Sequence, residues 1–504
     1  MAILPEVIAT GDKSWQNRHE TFIQPIDNLF TIMNGDSGNL INDYNATTTA
    51  IQTLLGNAVV AKRTLRALGG CWSFSDIAAT DGWLVNTLNL NLLFRISGNS
   101  IDAKYTGDFN QLLFVQCGTS IQELNRYLEP LGKALKTTGA SNGQTIVGAT
   151  STGTHGAALG FGATQDFVVG IHIIVSQSRH IWLERDSYPV VSNAFASNIK
   201  AEIIRNDNLF NAAVVGIGSM GFIHGVMIET EPIYLLEGFR ELVPFNNDLK
   251  QLMSTLDFTK STFLNNLQTP FHFQVIVNQY NIDFGAYVIT MYKNKYHADY
   301  TPPVSLPNTA GPGDDAPLFI GKITDFVPAS IPLLVNNLIK SELTIGKWTG
   351  TTGQIFTNTT THGKVFSTAM GIPLEYVSEV VDLLISLNKQ TTFPGIFAFR
   401  YVKKSAALIA FTKYDLTCVV ELDGVQSDIT RKFYNDVWKA LDDRKIPYTF
   451  HWGKVHNLDQ EKIKQKYTDT YLQWINARNV LLTSEMRNVF SSKSLRQFGL
   501  DLSI

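Results

Sequence analysis

Two glycine-rich stretches lie about eighty residues apart in the first third of this 504-residue chain. They are Leu65-Arg-Ala-Leu-Gly-Gly-Cys-Trp-Ser-Phe-Ser-Asp76 and Gly148-Ala-Thr-Ser-Thr-Gly-Thr-His-Gly156. Each sets small and hydroxyl residues in a short turn between apolar segments. Turns of this kind bring backbone N–H groups close to a phosphate, where they donate in concert. Two of them in one domain point to a long, doubly phosphorylated ligand held along its length. That is a dinucleotide cofactor, and its chemistry is redox.

Composition removes several alternatives. A net charge of −3 with no basic cluster argues against nucleic acid or anionic membranes as partners. No apolar run approaches the ~20 residues needed to span a bilayer, so no transmembrane segment is expected. Met1 to Trp15 lacks a basic stretch followed by an apolar one, so no secretory signal is read. Three widely spaced cysteines, Cys71, Cys117 and Cys418, argue against a disulfide framework. The expected location is cytoplasmic. Ten histidines show no ligand spacing and no Cys-x-x-Cys occurs, so no metal is expected.

Residues 42–58 read as a helix, followed by a strand from Arg63 to Leu68 that enters the first glycine turn. Leu84–Leu93 and Leu112–Cys117 read as strands, Ser120–Leu131 as a helix, and Phe167–Ser176 as a buried strand. From about 236 the character changes, with Pro- and Gly-rich insertions such as Thr301-Pro-Pro-Val-Ser-Leu-Pro and Ala310-Gly-Pro-Gly-Asp-Asp. Strands Phe271–Val277, Ala286–Tyr292, Ala398–Val402 and Thr417–Leu422 are expected there, with helices Leu374–Asn388 and Ile429–Arg444. The last fifty residues read as helical and charged. Gly216-Ile-Gly-Ser-Met-Gly221 matches G-x-G-x-x-G literally, but Phe222-Ile-His-Gly-Val-Met-Ile-Glu alternates like a strand. A nicotinamide fingerprint requires a helix at that point, so a nicotinamide-dependent reductase is disfavoured.

The motifs Arg66-x-x-Gly-Gly-x-x-Ser-x-Ser-Asp76, Gly148-x-x-x-Thr-Gly-Thr-His-Gly156, Gly218-x-x-Gly-x-Ile223 and His451-Trp-Gly-Lys454 occur in this order. Together they resemble the vanillyl-alcohol oxidase and p-cresol methylhydroxylase flavoproteins, nearest to the aldonolactone oxidase and alditol oxidase branch. The resemblance implies an α+β chain with a split FAD-binding domain of the p-cresol methylhydroxylase type and an α+β cap that forms the substrate domain. The FAD domain would take residues 1–235, the cap 236–450, and residues 451–504 would return to the FAD domain.

On this resemblance, Gly69, Gly70, Cys71, Trp72, Ser73 and Phe74 form the first pyrophosphate loop. Thr145, Gly148, Thr152, Gly153, Thr154 and His155 form the second, and Ile223 contacts the cofactor through its main chain. Many relatives carry a histidine in the first loop that bonds covalently to the flavin. That position is Trp72 here, and indole cannot form the link, so the FAD is expected to be non-covalent. Cys71 stands beside it as the alternative attachment point, against a plain role as a buried small side chain. Lys454 is expected near the flavin N1 edge, where reduction builds negative charge, with His451 beside it.

Arg400 matches the family arginine that binds the substrate oxygen. The glutamate that relatives carry two residues earlier is Ala398 here, and the acidic residue common four before Pro373 is Ala369. Glu421 and Asp423 share one face of a strand by the two-residue period. At these positions relatives line the substrate pocket with polar groups. Glu421 is read either as the general base or as an ion-pair partner of Arg400, and Asp423 as substrate-binding. The expected reaction is two-electron oxidation of a CH–OH group by hydride transfer to flavin N5, reoxidised by oxygen or another acceptor. The missing carboxylates leave open a bulkier donor, a sterol or phenol, or a flavin-binding protein without alcohol-oxidising turnover.

Overall fold

The structure, a computed structural model, describes residues 3–264, 266–302, 328–357 and 364–502. After three short strands comes a crossover of the kind parallel strands require. Strand Asn28–Met33 leads into helix Leu40–Val60, which is started by the Asn39 side chain accepting from the Asn42 N–H. The chain returns through strand Leu65–Leu68, and both strands pair in parallel with Trp83–Asn86 between them. A second sheet of six strands runs in the spatial order Glu202–Arg205, His180–Glu184, Val168–Ile174, Phe222–Glu229, Leu112–Gln116 and Leu93–Phe94. The strand that follows Gly221 is the alternating one expected, so no helix opens from that glycine turn.

The third sheet has eight antiparallel strands. Its centre is His272–Val277, Gly395–Lys403, Leu416–Val425 and Val365–Pro373, in that spatial order. On one face Phe397 stacks against Phe393 and Phe433 beneath helix Asp428–Asp443. The opposite face carries the polar residues discussed below. Strand Tyr234–Val243 belongs to this sheet and straddles the expected boundary at 235. At the far edge Thr449–Phe450 pairs with Gly371 and Met370, and the chain passes directly into His451-Trp-Gly-Lys454. The final helices turn back on the first half: Trp474 Nε1 donates to the Val215 carbonyl and Arg478 Nε to that of Ser219.

Two local expectations change. The expected strand Leu84–Leu93 is broken into Trp83–Asn86 and Leu93–Phe94. Asn86 Oδ1 accepts from the Leu88 N–H, and Thr87 Oγ1 donates to the Leu68 carbonyl; such side-chain bonds compete with a strand ladder. The second glycine stretch is not wholly a turn. Thr145 caps a short helix, Ile146–Thr152, which Gly153 ends at φ 78°. The proline-rich insertion expected after Thr301 lies, from residue 303 to 327, outside the described residues.

Between helix Leu40–Val60 and the six-stranded sheet lies a buried polar chain. Tyr44 OH meets His172 Nδ1 at 2.5 Å, His172 Nε2 meets His180 Nδ1 at 2.8 Å, and the His224 ring stacks on Tyr44. Burial lowers His224 to about 3 and His172 well below its ordinary value. Once unfolded, these rings titrate near 6.5, so below that pH the unfolded chain takes up protons that the folded chain refuses. Stability therefore falls as pH drops from 6.5 toward 4, by at most about 1.4 kcal/mol per unit for each such histidine. Urea-denaturation midpoints at pH 7.5 and 5 check this; equal midpoints would contradict it.

Candidate functional site

Strand Leu65–Leu68 delivers Gly69 and Gly70 against the turn that precedes Ile146. A Cβ on Gly69 would collide with Thr145 Oγ1, and one on Gly70 with the Gly143 carbonyl. The approach between the two turns thus leaves no room for a Cβ at either position, and only glycine permits it. Cys71 holds a left-handed conformation at φ 58°. Buried Arg66 ties in the third glycine turn, donating to the carbonyls of Gly218 at 2.8 Å and Ile217 at 2.6 Å. The sequence Gly216-Ile-Gly-Ser-Met-Gly221 therefore serves as a wall of the site.

One cavity runs along all three turns to the polar face of the eight-stranded sheet. Its lining includes Gly69, Gly70, Cys71, Trp72, Ser73, Phe74, Thr145, Gly148, Thr152, Thr154, His155 and Ile223. It also includes Arg400, Glu421, His451 and Lys454. Two expected residues are not among the lining. Gly153 ends the short helix with Phe411 packed against it, and Asp423 lies fully buried behind Lys454.

The far end of the cavity is built by strand register. Glu421 pairs directly with Ala369 on one side and with Ala398 on the other. The carboxylate therefore stands between the two alanines that replace the usual acidic residues, on the same face. Arg400 follows Ala398 by two residues and faces the same way. Its Nε lies 3.1 Å from Glu421 Oε2, with side chains 5% and 2% exposed. The carboxylate offsets part of the cost of burying the guanidinium. His155 completes the group. Its Nδ1 donates to the Gly156 carbonyl at 2.9 Å, leaving Nε2 facing Glu421 Oε1 at 3.8 Å.

The His451-Trp-Gly-Lys454 turn is stitched to the first glycine loop: the Phe74 N–H donates to the Gly453 carbonyl and Ser75 Oγ to that of Trp452, each at 2.7 Å. His451 Nδ1 accepts from the Gly453 N–H at 3.0 Å, which puts the proton of the neutral ring on Nε2. Burial, then His155 and Lys454, hold His451 well below its ordinary pKa, so that neutral form is the relevant one. Lys454 Nζ donates to Ser367 Oγ at 2.8 Å, 4.9 Å from the centre of the Phe74 ring. Burial pushes the Cys71 thiol up to about 11, so at neutral pH it is not the reactive thiolate.

Several contributors were not legible beforehand. The hairpin of Ser14–Gln16 and Ile23–Pro25 carries Trp15 and His19 to the cavity. His19 stacks on Phe74 with ring centres 3.8 Å apart, and Asn17 Nδ2 donates to the Ser73 carbonyl. Nothing in the spacing of residues 14–25 announces this. His272 is buried near Arg400 and lowered to about 3, by burial first and that positive charge second. It holds an apolar strand position, so its sequence context gives no signal. Among the described residues no group of three or more His, Cys, Asp or Glu side chains is arranged to hold a metal, and no helix is long and apolar enough to cross a membrane.

Residues 44–184 match the FAD binding domain family. D-Arabinono-1,4-lactone oxidase of Debaryomyces hansenii is 29% identical over 204 residues, covering 40% of this chain and 33% of that protein. The enzyme of the same name from Saccharomyces cerevisiae is 26% identical over 211 residues, covering 42% and 35%. The chain thus spans about a third of the length of these curated relatives. Among solved structures, a cholesterol oxidase from B. sterolicum matches with a TM-score of 0.68 at 12% identity, over 98% of this chain and 97% of that one. A solvent-stable cholesterol oxidase gives 0.66 at 12% identity, over 98% of each chain. At such identity the likeness speaks for fold alone. The chain has a mixed helix and sheet fold of the p-cresol methylhydroxylase FAD-binding type. Its similarity within that class runs to the aldonolactone oxidase branch.

Removing Glu421 takes a carboxylate away from beside the buried guanidinium of Arg400. Glu421→Ala should cost about 3–5 kcal/mol of stability, whereas Glu421→Gln keeps a carbonyl oxygen for the guanidinium and should cost less. Denaturant titration of the two variants checks the order; equal losses would contradict the ion pair.

Proposed function

We propose that this chain is an FAD-dependent oxidoreductase that oxidises the CH–OH group of a small polar donor, a sugar lactone or polyol. The observation that carries the reading is the position of Glu421, paired with Arg400 at the cavity end and set between Ala369 and Ala398. The carboxylate lost from both neighbouring strands is supplied by the strand between them. The substrate class is supported by the similarity to proteins named D-arabinono-1,4-lactone oxidase.

The residues present fit the cofactor. Glycine turns that exclude any Cβ line the cavity, and so do the buried Trp72 Nε1 and Gln144 Oε1, which lack a hydrogen-bond partner among the described residues. Gly69 to Phe74 and Thr145 to His155 would hold the FAD, and Trp72, with Cys71 as a neutral thiol, would leave it non-covalent. When bound, FAD would supply the two-electron acceptor for the hydride of the donor carbon, with oxygen or another acceptor as the final oxidant. Glu421 takes the proton of the donor hydroxyl, and its buried, low-dielectric surroundings make that transfer directional. Arg400 binds the same oxygen and steadies charge as the C–H bond breaks. Lys454, which lines the cavity, would bring a positive charge to the cofactor edge. Residues 1–235 and 451–504 are read as the FAD domain and 236–450 as the cap. Cys71, Cys117 and Cys418, all free thiols, support a reducing, cytoplasmic setting.

Acid precipitation of the FAD-loaded protein should leave the flavin in the supernatant; flavin retained in the pellet would refute non-covalent binding. Anaerobic mixing with a panel of aldonolactones, polyols, sterols and phenols should bleach the flavin with the first two groups. Bleaching by a sterol or phenol alone would overturn the substrate class, and no bleaching by any would overturn the alcohol-oxidising activity.

A further inference from the structure

Asp423 is the expected substrate residue that lies away from the cavity, and its surroundings suggest a different task. It is fully buried on the strand Leu416–Val425, directly opposite Ser367 on the neighbouring strand. Ser367 is equally buried, and its Oγ donates to Asp423 Oδ1. Ser367 Oγ in turn accepts from Lys454 Nζ at 2.8 Å, which leaves the ammonium 3.8 Å from the Asp423 carboxylate. Of the three, only Lys454 lines the cavity.

Resting on the functional reading above, we propose that Asp423, through Ser367, is a positioning residue that anchors Lys454 and sets how much of its positive charge the flavin feels. A carboxylate 3.8 Å from an ammonium in a buried site offsets a large part of its field. The hydroxyl between them fixes the direction in which the ammonium is drawn, away from the cavity and toward the sheet. The protein thereby holds a cation beside the cofactor while limiting the stabilisation it gives to the reduced, more negative ring. The anchor explains why a carboxylate sits at a strand position two residues from Glu421 with no access to substrate.

The test is the midpoint potential of the bound flavin in the FAD-loaded protein, measured against reference dyes. Asp423→Asn keeps the shape and an acceptor for Ser367 but removes the charge. It should raise the two-electron potential by about 30 mV or more, a tenfold or larger shift in the equilibrium. Lys454→Met should lower it, and Asp423→Asn should have a smaller effect in that background. Ser367→Ala, which cuts the bridge and keeps the charge, should raise the potential by a smaller amount and serves if Asp423→Asn does not fold. An unchanged or lower potential in Asp423→Asn, or in Ser367→Ala where that variant stands in, would overturn the proposal. Failure to take up FAD would instead refute the functional reading beneath it.

Discussion

A guanidinium removed almost wholly from water must find acceptors or a counter-charge inside the protein, and for Arg400 the carboxylate of Glu421 supplies the counter-charge. The pairing fixes more than two side chains. Glu421 sits at the middle of three strands, so its contact with Arg400 depends on the register that sets it opposite both Ala369 and Ala398. Larger side chains at either alanine would press on the carboxylate. The stacked phenylalanines under helix Asp428–Asp443 hold the sheet from the other face. The cavity end is therefore a consequence of sheet register, and sheet register is a consequence of which face is apolar.

The other end of the cavity obeys a different constraint. There the chain must bring two turns so close that no Cβ fits at the contact, and glycine at 69, 70 and 143 is what allows it. Arg66 secures the third turn by donating to carbonyls, and the His451-Trp-Gly-Lys454 turn accepts from the first loop. Glycine turns line one end, and Arg400, Glu421 and Lys454 line the other. That division matches a ligand with a polar tail to be cradled and a reactive ring to be tuned.

Much of this was readable from the sequence, and the exceptions have a common cause. The glycine turns follow from local composition and the shared face of Glu421 and Asp423 from the two-residue strand period, while Arg400 and Lys454 are read from the motif resemblance. What local pattern cannot give is distance along and across the sheet. Asp423 shares the face of Glu421, but two residues of strand are about 7 Å, enough to move it from the cavity to the back of Lys454. His19 and His272 reach the site through the hairpin and through strand pairing, long-range contacts that leave no trace in their immediate neighbours. The second glycine stretch reads as a turn because its residues are small; Thr145 as a cap and Gly153 as a stop make part of it a helix.

The account depends most on Glu421 acting as the proton acceptor rather than as a counter-ion alone. Stopped-flow reduction of the FAD-loaded protein by an aldonolactone, without oxygen, compares wild type with Glu421→Gln. The ion pair's geometry survives in that variant while its basicity is lost. Slowing of flavin reduction by about 10² or more is the predicted result. An unchanged rate would mean that Glu421 only balances Arg400, and that the proton leaves by a route other than this carboxylate.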